Sequence, residues 1–159
     1  MNTSSIFAWT ALLSFMPVSE IRGGIPFAIA SGLPWYWAYP FAVACNALAA
    51  PVCWLLLSTT HTGLVCLPWY RKLFERFVER ARVKLHRGVN KWGWLGIAVF
   101  VAVPLPATGA WTGTLGAWAL GISKGKTMIA ILLGVLFAGA IVTVIITLGI
   151  QVFTPPAGP

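Results

Sequence analysis

The sequence predicts an all-α integral membrane protein: two inverted repeats, each a re-entrant helical hairpin plus a transmembrane helix, joined by a basic amphipathic cytoplasmic helix. Three observations predict it. Of 159 residues, 58% are hydrophobic and only 9% charged, against roughly 25% charged in an average soluble domain. Two apolar blocks are long enough to cross a bilayer, and two others are broken at their centres by Pro and Gly. The two halves also match each other when the chain is slid by 89 residues.

The first broken segment runs from Ser5 to Met16, meets Pro17, Gly23, Gly24 and Pro26, and resumes as a short apolar run to Gly32 and Pro34. A run of ~12 residues makes only ~18 Å of helix, about half a hydrocarbon core. Two such half-helices meeting at a broken tip describe a re-entrant hairpin, tolerated at membrane depth only where protein or a water-filled cavity surrounds it. Trp35 to Thr60 follows as the first transmembrane helix, opening on Trp35, Tyr36, Trp37 and Tyr39, rings suited to the membrane–water interface. The N-terminus lacks a basic region before its apolar run, which argues against a cleaved signal peptide.

Eight of the eleven Lys and Arg residues fall between Arg71 and Lys91. Tyr70, Leu73, Phe74, Phe77, Ala81 and Leu85 follow i, i+3, i+4, i+7 spacing, which predicts an interfacial amphipathic helix with its basic face toward anionic lipid. Such a cluster marks a cytoplasmic loop. The net charge of +8 therefore points to membrane lipids and not to nucleic acid, for which no basic fold is left.

The second broken segment is Trp92 to Val103, interrupted by Pro104, Pro106, Gly109 and Gly113 and resuming to Gly121; Thr127 to about Val152 is the second transmembrane helix. Within it Ala130, Gly134 and Ala138 recur every four residues and would let another helix approach closely. The 89-residue shift pairs Pro17 with Pro106, Ser19 with Thr108, Gly24 with Gly113, Ala28 with Ala117, Ala30 with Ala119 and Gly32 with Gly121. The chain thus divides as one membrane domain, 1–159, with repeat one at 5–60, the basic linker at 61–92 and repeat two at 93–152. If each hairpin returns to its own side, ten of the eleven basic residues share one face. Both termini then lie outside and residues 61–92 in the cytoplasm.

Only three acidic residues exist, and Glu20 alone stands in hydrophobic surroundings. An ionisable residue at membrane depth is costly unless paired, so the segment Pro17 to Pro26 is the leading site candidate. Glu20 and Arg22 diverge on a regular helix but can converge at a non-helical tip. A half-helix beginning near Gly24 would present free amides to the same tip. Arg22 with the amides around Gly23 and Gly24 suits an anionic group such as a phosphate. Burial favours the neutral form of Glu20 and a neighbouring arginine its charged form, which suits a proton carrier. The alternative is an ion pair that merely pins the hairpin. Thr108 and the amides near Gly109 add candidate contacts from the second tip; Thr112 and Thr114 are better read as satisfying helix carbonyls. Asn46 is polar at depth and either bonds between helices or lines the site.

Cys45, Cys53 and Cys66 lack metal-ligand spacing, and His61 and His86 lie in or beside the basic loop, away from both tips. These patterns predict neither a cofactor, nor a metal, nor an enzyme. Covering the two tips calls for a second copy, so a homodimer is expected.

The segments PVSEIRGGIP at 17–26 and PLPATGAWTG at 104–113, each ahead of a spanning helix, resemble the prokaryotic small multidrug export family, itself similar to the DedA/VTT membrane proteins. That resemblance implies a multi-pass protein of the prokaryotic inner membrane with two inverted re-entrant hairpins. It also implies translocation of lipid phosphates such as a polyprenyl phosphate, or lipid scrambling. Glu20 and Arg22 match the acidic and basic hairpin positions, whereas Thr108-Gly109 stands where DedA proteins usually carry an arginine. The resulting expectation is a secondary transporter or flippase, coupled to protons through Glu20, for an anionic or amphipathic lipid-like substrate. A passive scramblase and a non-transporting accessory subunit are the alternatives.

Overall fold

The computed structural model describes residues 2–64, 93–105 and 108–153. The basic amphipathic segment, Cys66, His86 and the tip residues 106 and 107 lie outside the described residues. Seven helices make up what is described: α1 (Thr3–Phe15), α2 (Glu20–Ala30), α3 (Trp35–Ala47), α4 (Ala49–Leu64), α5 (Leu95–Ala102), α6 (Ala110–Ala119) and α7 (Lys124–Phe153).

Pro17 ends α1. The residue before a proline is pushed out of the helical region, and Met16 has φ −62° and ψ 137°. The chain then folds back, so that α1 packs along α2 with Ile6 near Ala28 and Ser14 against Gly24. A helix that stops in an apolar setting leaves its last carbonyls without partners, each costing about 1–3 kcal/mol when buried. Here different donors take them in turn. Leu12 O accepts from Met16 N–H, Leu13 O from the Ser19 hydroxyl, Ser14 O from Asn46 Nδ2 at 2.7 Å, Phe15 O from Trp111 Nε1 at 2.7 Å, and Met16 O from Glu20 N–H.

The ends of α2 and α6 are built alike. Gly32 and Gly121 adopt φ of +91° and +71°, the left-handed turn that closes a helix at little steric cost. Leu33 N–H returns to Ala28 O, and Ile122 N–H to Ala117 O, both at 3.0 Å. Under the 89-residue shift these bonds superpose, and the start of α3 falls on the start of α7.

The spans differ. Residues 124–149 form one unbroken apolar helix, whereas the apolar stretch 35–59 is interrupted at Leu48 between α3 and α4. Pro51 explains the interruption, because it has no N–H for Ala47 O and crowds that carbonyl. Central to the bundle is α7, which touches α2 through α6. Gly134 meets Ala98 O and Val101 of α5, so the small-residue stripe serves a contact within the chain. The core gathers Ile21, Ile25, Ile97, Val101, Ile131 and Val135 among many alanines.

Around this apolar core many large apolar side chains also face outward. On α1 the covered face is Ile6, Thr10 and Ser14, while Trp9, Leu12 and Met16 point outward. Trp35, Tyr36 and Trp37 are more than half exposed. Large apolar side chains outside, with small polar ones covered on α1, suit lipid surroundings.

Candidate functional site

The two tips meet. Pro17 to Ser19 delivers Glu20 to the first position of α2 with φ of +49°, the one non-glycine residue with positive φ among those described. A left-handed glutamate costs of order 1–3 kcal/mol and persists only where its surroundings hold it. What holds it is the second hairpin: Trp111 N–H donates to Glu20 Oε1 at 3.4 Å. The carboxylate also lies where a side chain on Gly109 would begin, so Gly109 admits it to the N-terminal end of α6. That end carries free amides and the positive pole of the helix dipole, which favour an anion. The acid is 5% exposed.

Arg22 reaches the same tip. Its Nη2 donates to the Thr108 carbonyl oxygen and to Thr108 Oγ1, the latter at 2.8 Å. The Thr108 hydroxyl is the hub of this turn, within 2.7 Å of Val103 O and 2.8 Å of Leu105 O. Both charges therefore face across to the second hairpin, and Thr108 and Gly109 are their direct contacts.

Two expectations need correcting. The second half of the first hairpin begins at Glu20 and not near Gly24, because the left-handed turn at Glu20 lets its N–H reach Met16 O and start the helix early. Gly23 and Gly24 consequently lie inside α2. Gly24 has Ser14 Oγ against its α-carbon, and a side chain on Gly23 would strike Ser19 Cβ, so both lie in close contacts within the first hairpin. The amides that receive an anion belong to the second hairpin instead.

Asn46 is wholly buried on α3 and ties α3 to the end of α1 through Ser14 O. Thr112 and Thr114 donate back to the carbonyls of Gly109 and Ala110. Trp111 was not among the residues singled out from sequence, yet it joins three elements. Its indole caps α1 at Phe15 O, its ring packs edge-on against Phe15 at 5.5 Å, and its backbone holds Glu20. Its place in an apolar run ahead of Thr112 and Gly113 gives no hint of this; the buried indole N–H, which needs a partner, is the available signal. Ser14 was missed as well, although Ile6, Thr10 and Ser14 repeat every four residues as one face of α1.

A family model described as "Putative small multi-drug export protein" matches residues 20–141, most of the chain. Neither the curated proteins nor the solved structures give a match.

Proposed function

The chain belongs to the small multi-drug export family of membrane proteins, and we propose that within it this protein is a proton-coupled transporter or flippase for an anionic or amphipathic lipid-like substrate such as a polyprenyl phosphate. The observation that carries this is the Glu20 carboxylate seated at the N-terminal end of α6, against Gly109 and Trp111 N–H. A carboxylate there stands in for any anion the site would bind. When Glu20 takes a proton, the amides of α6 and the guanidinium of Arg22 lose their internal anion, and a substrate phosphate can replace it. Proton and anion then share one site, which couples their movement through charge balance. Because Glu20 and Arg22 bridge the two tips, exchanging the internal anion for substrate also loosens one hairpin from the other.

The reading extends to topology. Each hairpin is re-entrant, the two repeats are inverted about an axis in the membrane plane, the termini lie outside, and residues 61–92 are cytoplasmic, in an inner membrane of prokaryotic type. The matched ends of α2 and α6 support the repeat. A homodimer covers the tips; a detergent-corrected mass of one chain only would contradict this.

The test uses purified protein in liposomes with labelled polyprenyl phosphate. Glu20→Gln keeps the shape and removes the titration, so transport should lose its dependence on a pH gradient. Transport by the variant that still follows the gradient would rule out coupling through Glu20. A second reading is favoured by the same bonds: the two charges serve as a static pin between hairpins in an accessory subunit. Unchanged cellular function after replacing Glu20 and Arg22 together would establish that role.

A further inference from the structure

Among the described residues, three buried side-chain atoms have no hydrogen-bond partner: Ser14 Oγ, Asn46 Oδ1 and Arg22 Nε. Ser14 and Asn46 are both 0% exposed. An unpaired polar atom costs about 1–3 kcal/mol in a protein interior, and two on touching residues call for one ligand. The Asn46 amide is oriented by its Nδ2 donating to Ser14 O, which leaves Oδ1 as an acceptor that needs a donor. Ser14 Oγ can donate or accept. An anion is repelled by Oδ1. A cation finds the carbonyls at the end of α1 already accepting hydrogen bonds from Ser19, Asn46 and Trp111. Water meets the demand, since it donates to one atom and accepts from the other.

We propose that Ser14 and Asn46 hold a buried water that relays protons to Glu20, an inference that rests on the proton-coupled reading above. Position supports it. Ser14 Oγ lies against Gly24, and Gly24 follows Glu20 by four residues, on the same face of α2 and one turn, about 5.4 Å, away. The missing side chain at Gly24 is what lets Ser14 Oγ sit against that face. A proton arriving at the water as hydronium breaks one O–H bond there and forms one at a Glu20 carboxylate oxygen, leaving neutral water behind. Arg22 is the charged group beside Glu20 on its own helix. Helices α1 and α6 carry no titratable side chain, α3 carries Tyr36, Tyr39 and Cys45, α7 has the exposed Lys124 and Lys126, and Cys53 of α4 faces Trp111 O.

The experiment is a pH jump on the full chain in lipid, following the carboxyl band of Glu20 by time-resolved infrared and assigning it by its loss in Glu20→Gln. Ser14→Ala and Asn46→Leu should slow protonation of Glu20 at least tenfold and abolish its slowing in D2O, with the end point retained. Unchanged rates and an unchanged isotope effect would overturn the relay while leaving Glu20 as the coupling acid. A Glu20 band that does not respond to pH at all would overturn the coupling reading itself, and the relay with it. Should both variants fail to fold, the wild type decides: an O–D stretch of an isolated internal water, shifted in 18O-labelled water, is expected, and its absence refutes the site.

Discussion

The bond between Glu20 and the second hairpin decides how this site is read, and it makes Gly109 its most sensitive position. Gly109 is extended, with φ 167°, so any residue could adopt its backbone; what excludes a side chain is the carboxylate already there. Gly109→Ala should lower stability by about 1–3 kcal/mol, the usual cost of overpacking a buried contact. Adding Glu20→Ala should recover much of that loss in thermal melts, because the clash needs both groups. Additive losses would show that Gly109 acts elsewhere. The sequence marked Glu20, Arg22, Thr108 and Gly109 as candidates because charge and broken backbone are costly in an apolar chain. It could not show that Trp111 joins them, since the bond to Glu20 spans 91 positions and depends on how two hairpins dock.

Helix ends were the most legible elements, since Pro17, Gly32, Pro34 and Gly121 act locally through backbone geometry. Less legible was the interruption at Leu48, where a run apolar enough to span gave no outward sign of it apart from Pro51. The Ala130, Gly134, Ala138 stripe was legible as a close contact but not as to its partner, which is α5. That identity has a consequence. A side chain at Gly134 would come within 2.8 Å of Ala98 O and 2.6 Å of Val101 Cβ, and backbone cannot yield as a flexible side-chain end can. Gly134→Val should therefore destabilise the chain by about 1–3 kcal/mol or more, seen as an earlier melt, without changing the oligomer. A variant that melts normally but alters the measured mass would place the stripe between copies instead.

For the molecule as a whole, the decisive distinction is whether α1 and α2 enter and return or cross the bilayer in full. Their packing as an antiparallel hairpin fits either course, because two short helices joined at Pro17 look alike from within the protein. Lengths argue for return: α1 has 13 residues and α2 has 11, about 20 Å and 17 Å at 1.5 Å per residue, against a hydrocarbon core of about 30 Å. The charges fit both courses, since two crossings by each pair also return Lys124 and Lys126 to the face of the basic loop. Single cysteines at Asn2, Ser31 and Ser123, with Cys45, Cys53 and Cys66 replaced, fix the sides of the chain, and one at Val18 separates the two courses. Return predicts that a membrane-impermeant maleimide added outside intact cells labels Asn2→Cys and Ser31→Cys alike, and labels Ser123→Cys only after the membrane is opened. Val18 is 95% exposed at the turn between α1 and α2, and a full crossing between residues 2 and 18 would leave it on the far side. Val18→Cys then becomes the deciding probe: under return it lies within the bilayer and stays unlabelled from the cytoplasm even in inverted vesicles. Rapid labelling of Val18→Cys from that side would replace the re-entrant hairpin with a pair of short spans.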